Sequence, residues 1–165
     1  MGMYPGGKKV RVTPTLSTDG YGDGDVLFNS VEIPNAVSNR GGISKLTGMF
    51  ILSQNTTAID AYFIFSENSL TLGTINATAN ISDADLEAGN ITGSAHLDGS
   101  ESSTSHIDNG RLFNVAYNAS DEQFAPQLLQ AAEGSTSVYV ACNITGGTPT
   151  LAADDIDLIF HIEYL

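Results

Sequence analysis

The sequence predicts an all-β fold, an antiparallel β-sandwich or barrel with one or two short helical turns. From Ser137 to Leu165 the apolar residues alternate. Val138, Val140, Cys142 and Ile144 share one face, and beyond the turn run Gly146-Gly147-Thr148-Pro149 so do Ile156, Leu158, Phe160, Ile162 and Tyr164. That period of two is the spacing of a half-buried sheet. Further short segments with strand patterning lie between clusters of Gly, Asn, Asp and Ser, which is how an antiparallel sandwich reads in sequence. Helical signals, by contrast, are confined to two short pieces.

Taken in order, Val10 and Val12 flank Arg11 in a first strand limited by Pro14. Val26 to Ile33 forms a second, stopped by Pro34, because proline lacks the N–H a strand ladder needs. Ile43 to Ser53 is the third, with Leu46, Phe50 and Leu52 assigned to one face and Ile43, Met49 and Ile51 to the other, as in a central strand buried on both sides toward its end. The Asn55-Thr56-Thr57 turn then leads, as a hairpin, to a fourth strand over Ala58 to Phe65. Leu70 to Ile75, Ile91 to Leu97 and Leu112 to Tyr117 are weaker strand candidates, and Asp98 to Gly110 reads as a long polar loop. The helical pieces are Ser82-Asp83-Ala84-Asp85, with Ser at the N-cap and Gly89 closing the turn, and Gln127 to Ala132, with Pro126 at the first position and Gly134 as terminator.

A chain of 165 residues fits one domain, which at that size buries about 70% of its unfolded surface. Residues 1–19 read as an N-terminal arm and first strand, and residues 20–165 as a single β-sandwich domain. The formal charge is -13 and the isoelectric point is near 4.2. Both disfavour nucleic acid and anionic membrane surfaces as partners, because phosphate is held by clustered Lys and Arg. The charge is unevenly spread. Residues 1–45 hold Lys8, Lys9, Arg11, Arg40 and Lys45 against four acids, whereas residues 46–165 hold only Arg111 against fifteen. The expectation is that these five bases contact an acidic partner surface while the remainder stays solvated, the alternative being an ordinary exposed first strand.

Chemistry-bearing motifs are weak. The acidic run Asp19-Gly20-Tyr21-Gly22-Asp23-Gly24-Asp25 resembles a calcium loop in composition, but Tyr21 and Ser30 fall where the EF-hand spacing needs ligands. A glycine-rich turn before a strand explains the same residues. Asp83, Asp85 and Glu87 are what a helix N-terminus attracts. Asp154, Asp155 and Asp157 read as turn and surface groups. His96, His106 and His161 lack metal-ligand spacing, and neither a nucleophile elbow nor a phosphate-cradling glycine loop occurs. The reading is therefore no enzyme, no metal and no cofactor.

Cys142, the single cysteine, points into the core as a small hydrophobe. Six Asn-x-Ser/Thr sequons stand at Asn55, Asn76, Asn80, Asn90, Asn118 and Asn143. They read as local turn and strand-surface chemistry, in which Asn, Ser and Thr satisfy nearby backbone groups. Lacking an apolar leader or an 18-residue apolar run, the chain is expected to be made in a cytoplasm.

Several motifs resemble a family of small bacteriophage virion proteins. They are Tyr21-Gly22-Asp23-Gly24-Asp25-Val26, Asn39-Arg40-Gly41-Gly42-Ile43, the strand ending Phe63-Ile64-Phe65, Val138-Tyr139-Val140, Gly147-Thr148-Pro149-Thr150 and Asp154-Asp155-Ile156-Asp157-Leu158. The resemblance covers about residues 20–68 and 80–165. It implies a β-sandwich of jelly-roll type in the phage particle, serving as a head decoration (cement) protein or another head or tail component. The implied partner is the major capsid protein, the implied assembly a homotrimer and the implied location the capsid surface. A lectin-like tail or fibre module binding host glycan is the alternative.

Overall fold

Ten strands and one short helix build two antiparallel sheets in the computed structural model, which describes residues 6–99, 104–115 and 127–165. One sheet runs β1 (Gly7–Val12), β10 (Ile156–Tyr164), β3 (Ile43–Ser53), β7 (Gly110–Asn114) and β6 (Thr104–Ile107), with β8 (Gln127–Gln130) also paired to β3. The other runs β2 (Val26–Ile33), β9 (Val138–Gly146), β4 (Asp60–Ser66) and β5 (Ile91–Leu97). Strands β7 and β8 share one edge of β3: Phe50 to Ser53 faces β7, and Ile43 to Leu46 faces β8. Counted as one interrupted strand, they give a five-stranded layer against a four-stranded one, between which the chain repeatedly crosses, a sandwich of jelly-roll type.

The core lies between the layers. Val138, Val140, Cys142 and Ile144 of β9 face Ile156, Leu158, Phe160 and Ile162 of β10 within one buried cluster, as their alternation requires. Each such side chain contributes about 1.5–3 kcal/mol by leaving water. The Phe65 and Phe160 rings meet across the sheets edge to face, at 6.2 Å and 79°. Burial pushes the Cys142 thiol well above its ordinary pKa, so it packs as a hydrophobe.

Several local expectations are corrected by tertiary context. No hairpin joins the third and fourth strands, because β10 occupies one edge of β3 and β7 and β8 the other. The link crosses to the second sheet instead, and Asn55 turns it by accepting the Thr57 N–H at 2.9 Å and donating to the Thr150 carbonyl at 3.0 Å. Within β3 the face assignment fails at a bulge, where Thr47 is skipped between the Gly48–His161 and Leu46–Ile162 pairs. Leu46 thereby joins Met49 and Ile51 inside, while Phe50 and Leu52 turn outward and stay half-buried. A bulge changes the phase that strict alternation assumes.

Gln127 to Ala132 is not a helix. Gln127–Gln130 is the strand β8, recruited by the free edge of Ile43 to Leu46. Leu70 to Ile75 is not a strand of either sheet. There the side chain of Ser30 accepts the Leu70 N–H at 2.6 Å and that of Asn29 the Leu72 N–H at 2.7 Å. Leu70 and Leu72 pack with Val26 and Ala141 in a second small cluster. The polar stretch from Asp98 contains β6, which pairs with β7, and Ser100 to Ser103 lie outside the described residues, as do Met1–Pro5 and 116–126. The first strand belongs to the sandwich, since β1 pairs with β10 over six positions.

The helix α1 (Asp83–Gly89) forms where the capping signal places it. The Ser82 hydroxyl accepts the Asp85 N–H at 3.1 Å and lies 2.6 Å from the Asp85 carboxylate. Its left-handed terminal residue is Asn90, at φ 49°, one position beyond the expected Gly89. Asparagine tolerates that conformation better than most L-residues.

Candidate functional site

The five expected contact bases are not gathered into one cluster. Lys8 and Lys9 stand on β1, the open edge of the first sheet, and line a shallow groove of about 540 Å³ with Thr47, His161, Ile162 and Glu163. Lys45 lies in the adjoining row, its ammonium 3.6 Å from Glu163. Arg40 is exposed on the β2–β3 loop, whose Gly41 N–H donates to Ser135 at 2.9 Å.

Arg11 has an internal role that the sequence did not reveal. Its guanidinium pairs with the carboxylate of Asp157, which also accepts from the Thr13 hydroxyl. The Asp157 side chain is only 4% exposed and the Arg11 side chain 59%. Asp157 is thus not the surface group its position on the polar face predicts, since Arg11 and Thr13 cover it. The hydrogen bond from Arg11 holds the Asp157 carboxyl below its usual pKa, aided by Thr13 and by the guanidinium charge and opposed by desolvation; the same bond raises the Arg11 pKa. The pair ties β1 and its following residues to β10.

The acidic glycine run serves as a turn. Asp25 accepts the Gly22 N–H at 2.7 Å, and Gly24 takes φ +84°, a conformation glycine reaches without strain. Tyr21 is buried, accepting the Ser17 N–H at 2.7 Å and donating to the Leu27 carbonyl at 3.3 Å. Burial raises its phenol pKa, against the lowering hydrogen bond from Ser17. Among the described residues, no group of three or more His, Cys, Asp or Glu is placed to hold a metal ion. Asp155 accepts the Ala152 N–H at 2.7 Å in the turn before β10. Of the sequon residues, Asn76 and Asn90 take positive φ, Asn143 is half-buried in β9, and Asn118 lies outside the described residues.

Two further surfaces emerge only from the fold. At the seam where β5 approaches β8, a cleft of about 410 Å³ is lined by Ile43, Glu67, Asn90, Ile91, Thr92, Leu128 and Gln130. Ile43, Ile91 and Leu128 are 42%, 43% and 55% exposed there. Reading Leu128 as part of a helix hid this convergence. On the outer face of the second sheet, the Tyr62 and His96 rings lie 6.1 Å apart. The Tyr62 hydroxyl is 2.9 Å from that of Ser94, and His96 Nε2 is 3.3 Å from the Thr145 hydroxyl. The His106 side chain lies outside the described residues.

No protein-family model and no curated protein matches the sequence. Among solved structures, the infectious bursal disease virus VP2 subviral particle is similar over 99% of this chain and 42% of that one, with 13% identity and a TM-score of 0.30. The structure of infectious bursal disease virus Gx strain is similar over 98% of this chain and 36% of that one, with 16% identity and a TM-score of 0.28. The chain thus spans less than half the length of these two viral chains. No helix among the described residues is long and apolar enough to cross a membrane.

Proposed function

We propose that this chain is a non-enzymatic structural protein of a bacteriophage virion, a capsid decoration (cement) protein that binds and stabilises the major capsid protein lattice as a homotrimer. The observation that carries this reading is a pair of bases on an edge strand of an otherwise acidic chain. Lys8 and Lys9 occupy an open sheet edge with a groove beside them, in a chain whose residues beyond Leu46 hold fifteen acids and one base. Such an edge can dock on an acidic lattice while the rest repels non-specific contacts. The motif resemblance supports the same role, and the jelly roll is compatible with it, although fold by itself does not fix function. Synthesis would occur in the host cytoplasm, with the mature location on the capsid surface.

Co-sedimentation with undecorated heads tests the proposal. Binding that stabilises the heads, and that weakens for Lys8→Glu with Lys9→Glu, is expected. A protein that ignores heads and is found only in tails would refute it.

A second reading, a tail or fibre module for host glycan, draws on the exposed Tyr62 ring beside His96, Ser94 and Thr145. An aromatic face with hydroxyl and imidazole neighbours suits a sugar ring. A glycan array on which hits vanish for Tyr62→Ala would favour this reading, and silence on the array would remove it.

A further inference from the structure

We infer that β1 is an edge for strand addition, and that its occupant is an extended acidic segment of the lattice partner, laid along Gly7–Val12 as a further strand of the first sheet. The inference rests on the capsid-binding reading above for the owner of that segment and specifies the mode of contact. Backbone phase places the free groups. The Tyr164 N–H donates to the Gly6 carbonyl at 3.1 Å, so the hydrogen-bonded pairs of this antiparallel ladder continue at Lys8–Ile162, Val10–Phe160 and Val12–Leu158. Gly7, Lys9 and Arg11 therefore turn their N–H and C=O groups away from β10. Among the described residues, no backbone hydrogen bond meets them on that open side.

The other sheet edges are covered, bridged or short. Along β2 the Ser30 N–H donates to the Leu70 carbonyl at 3.1 Å, and the Asn29 side chain bonds Leu72 and Gly73. On β5 the Ser94 carbonyl accepts from the Gln127 side chain, and β6 has only four residues. By contrast, β1 runs for six residues, about 20 Å, with neither a proline nor a break in its register with β10. Of the devices that keep an edge strand from pairing, it has charge alone.

That charge selects the occupant. Arg11 is committed to Asp157 and Lys45 to Glu163, which leaves Lys8 and Lys9 as the uncompensated charges of the strand. The Lys8 ammonium meets only the neutral Pro34 carbonyl, at 3.5 Å. A second copy's β1 would bring the same lysines against them and is repelled, since like charges on adjacent strands destabilise pairing. An acidic strand is attracted instead. Its side chains on the outer face would lie beside the exposed Lys9, at the groove lined by Thr47, His161 and Glu163.

The test uses two probes, undecorated heads and a short synthetic peptide alternating Glu and Thr, with its Lys-Thr counterpart as control. In the wild-type protein, amide hydrogen exchange at Gly7, Lys9 and Arg11 should slow with the Glu peptide and stay unchanged with the Lys peptide. Lys9→Pro separates strand addition from plain charge attraction. The Lys9 N–H lies outside the β1–β10 ladder, so proline removes one outward donor together with the charge, whereas Lys9→Gln removes the charge alone. Lys9→Pro should bind heads about five-fold more weakly than Lys9→Gln, the worth of one backbone hydrogen bond, while both keep the wild-type circular dichroism spectrum. Equal head binding by the two variants overturns the inference and leaves the capsid role standing. Exchange that ignores the Glu peptide, or slows equally with the Lys peptide, also overturns it. Protection by the Glu peptide in a protein that ignores heads sinks the capsid role and leaves the acid-selective edge standing.

Discussion

Replacing Phe160 by alanine tests the packing of the two sheets most directly. Phe160 on β10 and Phe65 on β4 are both 0% exposed and meet across the sandwich at 6.2 Å and 79°. Truncating a fully buried Phe costs about 3–5 kcal/mol, the lost transfer energy plus the cavity left behind. In a domain of this size each kcal/mol lowers Tm by about 2–4 °C, so the expected fall is about 6–20 °C. Phe50 is the internal control, because it lies on the outer face of the same sheet, only half-buried beside His161. Its alanine variant should cost distinctly less. A double-mutant cycle of Phe65→Leu and Phe160→Leu isolates the ring contact, expected to be about 0.5–1.5 kcal/mol. With no Trp in the chain, urea unfolding followed by far-UV circular dichroism is the assay, and the m-value should be unchanged. A cost for Phe160→Ala no larger than that for Phe50→Ala, or a coupling of zero, would refute the packing described.

Other consequences follow from buried polar groups. The folded pKa of Asp157 lies below its unfolded value, about 3.9, so its contribution to stability is complete above the unfolded value and disappears as pH falls through the folded one. Asp157→Asn should flatten this part of the acid dependence of the urea midpoint; an unchanged acid profile would rule it out. Tyr21→Phe removes the partner of the Ser17 N–H and of the Leu27 carbonyl, at an expected cost of about 1–3 kcal/mol readable in the same assay. The Cys142 thiol, fully buried and with its pKa pushed up, should react with Ellman's reagent only on unfolding. Rapid reaction in the native protein would show that β9 is not interior.

Strand patterning located β3, β4, β9 and β10, because a strand with one buried face repeats every second residue, whereas β2 was marked by its stop at Pro34 and β5 was only a weaker candidate. The capping of α1 was equally legible, since Ser82 acts on an N–H three residues away. The candidate surfaces were only partly so. The bases of β1 could be counted, but Arg11's engagement with Asp157 joins positions 146 apart in the chain. The cleft was hidden because Ile43, Ile91 and Leu128 share no local pattern.

By itself, the sequence determined the all-β class, the inward residues of its regular strands, the buried cysteine and the uneven charge. These depend on the nature of each side chain and on short-range periodicity. Tertiary structure alone decided that β3 and β4 part into different sheets, that Gln127–Gln130 extends rather than coils, and that Thr47 bulges. In each case the deciding partner was a strand edge distant in sequence, and the hydrogen bonds available there outweighed the local preference.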